Sequence, residues 1–183
     1  MPIIGIVASS ITNSTLADAG AMVPLQVVTV ATSGTTSVTF TNIPQTYAHL
    51  QIRCMAVGSA VYDYIRLNGD AVSNYAWHQF TGDGSSVSAA NGSNTSFVYA
   101  NQMGTSTTMP YVSTLDIFDY ANTNKYKTLK IIGGQDTNGG GGIWFRTGHW
   151  RSNNGITQIS FIPSTGGYNQ YAKFALYGIK AAS

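Results

Sequence analysis

Between Leu25 and Ile179 the sequence is cut into short pieces by turn-forming residues, and few pieces outlast about ten positions, a length typical of strands. The breaks fall at Ser33-Gly34, Asn42-Ile43-Pro44, Asn68-Gly69-Asp70, Gly82-Asp83-Gly84, Asn122, residues 139–142, Asn154-Gly155 and residues 163–167. The pieces between them read as strands over 25–31, 37–41, 49–57, 62–67, 75–80, 97–99, 111–120, 126–132, 143–151, 156–162 and 171–179. Helical spacing of apolar residues is nearly absent. The pattern predicts an all-β chain, an antiparallel β-sandwich of jelly-roll-like kind, rather than βαβ units.

Alternation assigns faces to these strands. Leu50, Ile52, Cys54 and Ala56 share one side of their strand, and His49, Gln51, Arg53 and Met55 share the other. Ile159 and Phe161 oppose Gln158 and Ser160, while Ala172, Phe174 and Leu176 oppose Tyr171, Lys173 and Tyr177. The expected central core is Leu50, Ile52, Phe118, Leu129, Ile159, Phe161, Phe174 and Leu176. Residues 81–96 have no apolar period and read as a surface loop, and 136–142 as a hairpin connection. The chain divides into an N-terminal arm or edge segment, 1–23, and one sandwich domain, 24–183. Ile3, Ile4, Ile6 and Val7 would be costly to leave in water, so the arm is expected to bury them in assembly.

The 183 residues suffice for a core burying about 70% of the unfolded surface. Charged residues make up only 9% of the chain, all seven acids are Asp, and the net charge is +2. Tight binding to nucleic acid is therefore not expected. The single cysteine excludes an internal disulfide framework. The apolar start MPIIGIVASSI lacks the basic region of an export signal and is too short to span a bilayer, so neither export nor membrane insertion is expected.

No catalytic or metal motif is complete. The run at 139–142 lacks the lysine and hydroxyl of a phosphate loop and leads into a strand. Asp136 and Asn138 begin like a calcium loop, but Thr147 stands where a bidentate Glu should close it. His49, His78 and His149 have no ligand partners at metal spacing. Asp116 and Asp119 point to opposite faces of a regular strand, against their use as a carboxylate pair. Asp63 and Asp119 sit at apolar-parity positions, where they are expected to be strand-end acids that accept backbone amides or pair with Lys125, Lys127 or Arg66. No catalytic residue, cofactor or metal is assigned.

The aromatic residues carry more information. Tyr62, Tyr64, Trp77, Trp144, Trp150 and Tyr168 are candidates for a protein interface or for glycan contact, with most rings of the chain expected in the core.

Several strings together resemble a known family, the small virion structural proteins of tailed bacteriophages. They are MPIIG at 1–5, VTFTNIPQTYAHLQIR at 38–53, IRLNGDAVSNYAWHQF at 65–80, DIFDYANTNKYKTLKIIGG at 116–134 and FALYGIK at 174–180. The resemblance spans nearly the whole chain in family order. It implies a virion β-sandwich without a recognised catalytic set, and it transfers no individual site residue. The expectation that follows is a noncatalytic head decoration or cement protein that binds and stabilises the capsid. The alternative is a tail, baseplate or fibre accessory that contacts the host surface, with glycans as one target. Expected partners are further copies of the chain, as a trimer on a shell, and the major capsid protein or other virion proteins. The expected location is the outer surface of the head, after assembly in the host cytoplasm, with no membrane or specific nucleic acid involved.

Overall fold

The computed structural model describes residues 21–58, 62–102 and 108–181. They form β1 (Met22–Thr29), β2 (Val38–Phe40), β3 (His49–Ala56), β4 (Tyr62–Leu67), β5 (Tyr75–Gly82) and β6 (Val87–Thr95). There follow β7 (Val98–Gln102), β8 (Tyr111–Phe118), β9 (Lys127–Asp136), β10 (Gly141–Trp150), β11 (Ile159–Pro163) and β12 (Lys173–Ile179). An eight-stranded sheet has the order β1-β12-β3-β8-β9-β10-β5-β6, and a four-stranded sheet the order β2-β11-β4-β7. Every pairing is antiparallel. The chain is an all-β, antiparallel sandwich.

Its core follows from the period of two. Leu50, Ile52, Cys54 and Ala56 of β3 are buried together, with Leu115 and Ile117 of β8, Leu129 and Ile131 of β9, and Phe174 and Leu176 of β12. From the smaller sheet Phe40, Ile65, Leu67, Ile159 and Phe161 close over them. Phe161 bridges the layers, edge-on to Phe40 at 6.5 Å and tilted against Phe174 at 5.3 Å.

Phe118 is a correction to the expected core, for it is 41% exposed. Its parity is opposite to that of Leu115 and Ile117, so its ring points outward, edge-on to His49. A second correction concerns 81–96, expected as a loop. This segment contains β6, paired with β5 from Tyr75↔Thr95 to Gly82↔Val87. Its side chains are mostly exposed, so no buried side imprints a period on the sequence, and the strand is held by backbone pairing with a few side-chain contacts, Ser88 with Thr81 and Asn94 with Arg151. Residues 1–20, with Ile3, Ile4, Ile6 and Val7, lie outside the described residues.

Glycines inside strands make room for rings. Trp144 faces Gly133 across β10 and β9, and Trp77 faces Gly92 across β5 and β6. A Cβ on Gly133 would stand 2.7 Å from Trp144 Nε1, and one on Gly92 would stand 2.6 Å from the Trp77 ring. Each indole thus covers backbone that a side chain would otherwise occupy.

Candidate assembly surface

The interior holds the first cluster of polar groups. Tyr111 OH donates to Asp63 Oδ2 at 2.6 Å and Asn101 Nδ2 donates to the same oxygen at 3.1 Å. Arg146 donates to the Ala100 carbonyl at 3.0 Å and to Gln79 Oε1 at 3.0 Å. Burial pushes the Asp63 carboxyl up to about 6, against the Tyr111 and Asn101 donors, the neighbouring Tyr168 hydroxyl and the Arg146 charge. Cys54 lies nearby, and burial holds its thiol protonated, so it is an inert core residue. Asp63 is 0% exposed, and its network joins β4, β7 and β8 across the sandwich. That placement suits holding the sheets in register better than meeting a solute.

The other acids are used locally. Asp119, at the end of β8, pairs with Lys125 as expected, and its backbone N–H donates to His49 Nδ1 at 3.0 Å. Asp116 faces outward, 2.8 Å from Lys130 Nζ, and accepts from Gln51. Asp70 accepts from Trp150 Nε1 at 2.7 Å and from Asn74 at 2.9 Å. Partial burial of Asp70 is outweighed by these donors and by the Val72 N–H, which hold its carboxyl below the ordinary range. Among the described residues no group of three His, Cys, Asp or Glu side chains converges on a point where a metal would sit.

The candidate aromatics separate into two groups. Trp77, Trp144, Trp150 and Tyr168 are buried within the chain itself, at 9%, 4%, 2% and 0% exposure, which corrects their assignment as contact residues. Strand parity turns the three tryptophans inward, where Trp77 and Trp144 cover glycine backbone and Trp150 stacks on Tyr75, while Tyr168, in the connection before β12, meets Phe174 edge-on. Tyr62 and Tyr64 remain half-buried on the outer side of the smaller sheet. There Tyr64 stacks on Phe97 at 3.9 Å, and Tyr99 leans on both tyrosines.

The main accessible feature is the outer face of the eight-stranded sheet, where strand register aligns exposed apolar residues into rows. One row runs Met55, Val112, Gly134, Ile143, Gly82, Val87 across β3, β8, β9, β10, β5 and β6. The next runs Arg53, Thr114, Ile132, Phe145, Phe80, Ala89 over the same strands. Ile143 is 66% exposed, Ile132 56% and Phe145 42%. A third row, containing Gln51, Asp116, Lys130, Thr147 and His78, is polar and ends the patch.

The two apolar rows are not flat. Gly133 and Gly134 leave a depression of about 520 Å³ edged by Arg53, Val112, Thr114, Ile132 and Ile143. An open groove of about 950 Å³ continues from Val112 and Ile143 to the tips of the β5–β6 and β9–β10 hairpins. At the first tip Asp83 accepts the backbone N–H groups of Ser85 and Ser86 at 2.9 and 2.7 Å, which hold its carboxyl well below the ordinary range. A contiguous apolar patch of this size marks an interaction surface.

Attention to polar aromatics misses these residues. The available signal is consecutive apolar residues within one strand, Ile131-Ile132 in β9 and Ile143-Trp144-Phe145 in β10, which place apolar groups on both faces of a sheet. Compared with known protein families, curated proteins and solved structures, the chain matches none of them.

Proposed function

We propose that this chain is a noncatalytic structural component of a tailed-phage virion, a head decoration or cement protein that assembles on the capsid. The observation that carries the assembly role is the double apolar row on the outer face of the eight-stranded sheet, on a chain with 9% charged residues. The sequence resemblance supplies the virion as the setting. The buried Asp63 network and the locally paired acids account for the principal polar clusters as structural elements, which favours a noncatalytic role.

A second reading rests on the opposite face. Tyr62, Tyr64, Phe97 and Tyr99 form a half-buried aromatic cluster beside Arg66, a composition that suits sugar stacking. It supports a tail, baseplate or fibre accessory that contacts host glycans.

Purified particles decide between the two. Quantitative mass spectrometry should find the chain in the virion, and antibody labelling should distribute it over the head. Labelling confined to the tail tip would select the second reading, and absence from particles would overturn both.

A further inference from the structure

Resting on the assembly reading above, we propose that the two outward apolar rows of the eight-stranded sheet pack against the same rows of a second copy, about a two-fold axis running along the strands. The kind of partner follows from backbone chemistry. An extended segment such as residues 3–7 laid on a sheet face would bury its own N–H and C=O groups without partners, at a cost comparable to its apolar gain. A second sheet arrives with its backbone already hydrogen-bonded, and two sheet faces pack about 10 Å apart as they do inside a sandwich.

Area, shape and charge agree with that partner. The seven large apolar side chains in the two rows are each between 42% and 68% exposed. Together they present on the order of 700 Å², close to the roughly 800 Å² per partner of a stable interface once flanking residues are added. The surface also carries its own complement, since Ile143 projects beside the depression over Gly133 and Gly134. Basic groups, Arg53 and Lys173, lie toward the β3 and β12 side, while Asp83 lies beyond β5 at the other. A two-fold axis along the strands sets the basic side of one copy against the acidic side of the other. An axis across the strands would set Arg53 toward Arg53, with like charges opposed.

Sedimentation of the full chain over about 1–100 μM tests the pairing. A dimer is expected, weakened at least about 30-fold by Ile143→Asp or Phe145→Asp, each checked for fold by circular dichroism. Val27→Asp, on the same face but at the far edge strand, should leave association unchanged. Should the patch variants misfold, hydroxyl-radical footprinting of the unmodified chain decides. Met55 oxidation should fall as concentration rises while that of exposed Tyr126 does not.

A chain that stays monomeric at the highest concentration would overturn the pairing, as would a dimer indifferent to both patch substitutions. A dimer lost on deletion of residues 2–20 but kept in the patch variants would overturn it too, assigning the contact to the N-terminal segment. A monomer found abundantly in particles would end the pairing and leave the virion role. A dimer absent from particles would do the reverse.

Discussion

Tyr111 donates its hydroxyl to Asp63 across the gap between the two sheets, at 2.6 Å, with β8 supplying the donor and β4 the acceptor. The contact fixes one sheet over the other at a position where apolar packing alone would tolerate sliding. Its cost is visible in the same cluster. Asp63 Oδ1, Asn101 Oδ1, Arg146 Nη2 and the Tyr168 hydroxyl have no hydrogen-bond partner among the described residues.

Asp63 should give the fold a pH dependence of unusual sign. Burial raises its folded-state value to about 6, while in the unfolded chain it titrates near ~3.9. The folded state therefore holds this proton more tightly, and the resulting stability is full below the unfolded value and lost as pH rises through about 6. Denaturant unfolding should show the wild type gaining on the order of 2 kcal/mol relative to Asp63→Asn between pH 7 and pH 4. The comparison is needed because His149, its pKa lowered by burial and by Arg151 and His78, acts in the opposite direction as pH falls. A constant difference between the two proteins would contradict the buried, raised carboxyl.

Gly133 should not tolerate a methyl group. A Cβ there would meet Trp144 Nε1 at 2.7 Å, the Val112 carbonyl oxygen at 2.7 Å and Ser113 Cβ at 2.8 Å. The carbonyl belongs to a paired backbone and cannot step aside, so Gly133→Ala should cost about 1–3 kcal/mol in denaturant unfolding. Loss of the native tryptophan fluorescence environment should accompany it.

Phe174 and Phe161 should be equally unforgiving to truncation. Both are almost wholly buried, and each contacts rings of a neighbouring layer or loop. Replacement of either by Ala should cost on the order of 3–5 kcal/mol. The same change at Phe118, 41% exposed, should cost well under half as much, which separates inward from outward parity on the strand side of the core.

Parity made most of the sandwich legible. The β3 string His49–Ala56 alternates in sequence and in burial alike, and seven of the eight expected core residues are buried. Phe118 is apolar, but its odd offset from Leu115 and Ile117 turns it outward, and β6 shows no period because nearly all of its side chains are exposed. The assembly surface was illegible for a different reason. Met55, Val112, Ile143 and Val87 come from four separate strands, and only cross-strand register makes them neighbours. Local sequence shows that Ile143 to Phe145 cannot all face one core, but not which residues of other strands adjoin them.

Deleting residues 2–20 should separate folding from attachment. Sandwich pairing begins at Met22, which faces Ile179 of β12, and the next residues continue that ladder to Thr29↔Lys173. The Lys180 N–H also reaches the Ala21 carbonyl at 3.0 Å, so the described sheet is anchored without the deleted segment. The shortened chain should keep its β circular dichroism and its concentration-dependent pairing, with a melting temperature within a few degrees of the full chain. On the virion role proposed above, Ile3, Ile4, Ile6 and Val7 would instead supply roughly 4–8 kcal/mol of apolar burial against a neighbouring protein of the particle, before ordering costs. That gain is small enough that attachment should depend on many copies acting together on the shell. Binding of the shortened chain to particles stripped of the native protein should therefore fall sharply. Binding that is undiminished would remove the arm from the attachment role, and loss of the β signal would make residues 2–20 part of the sandwich.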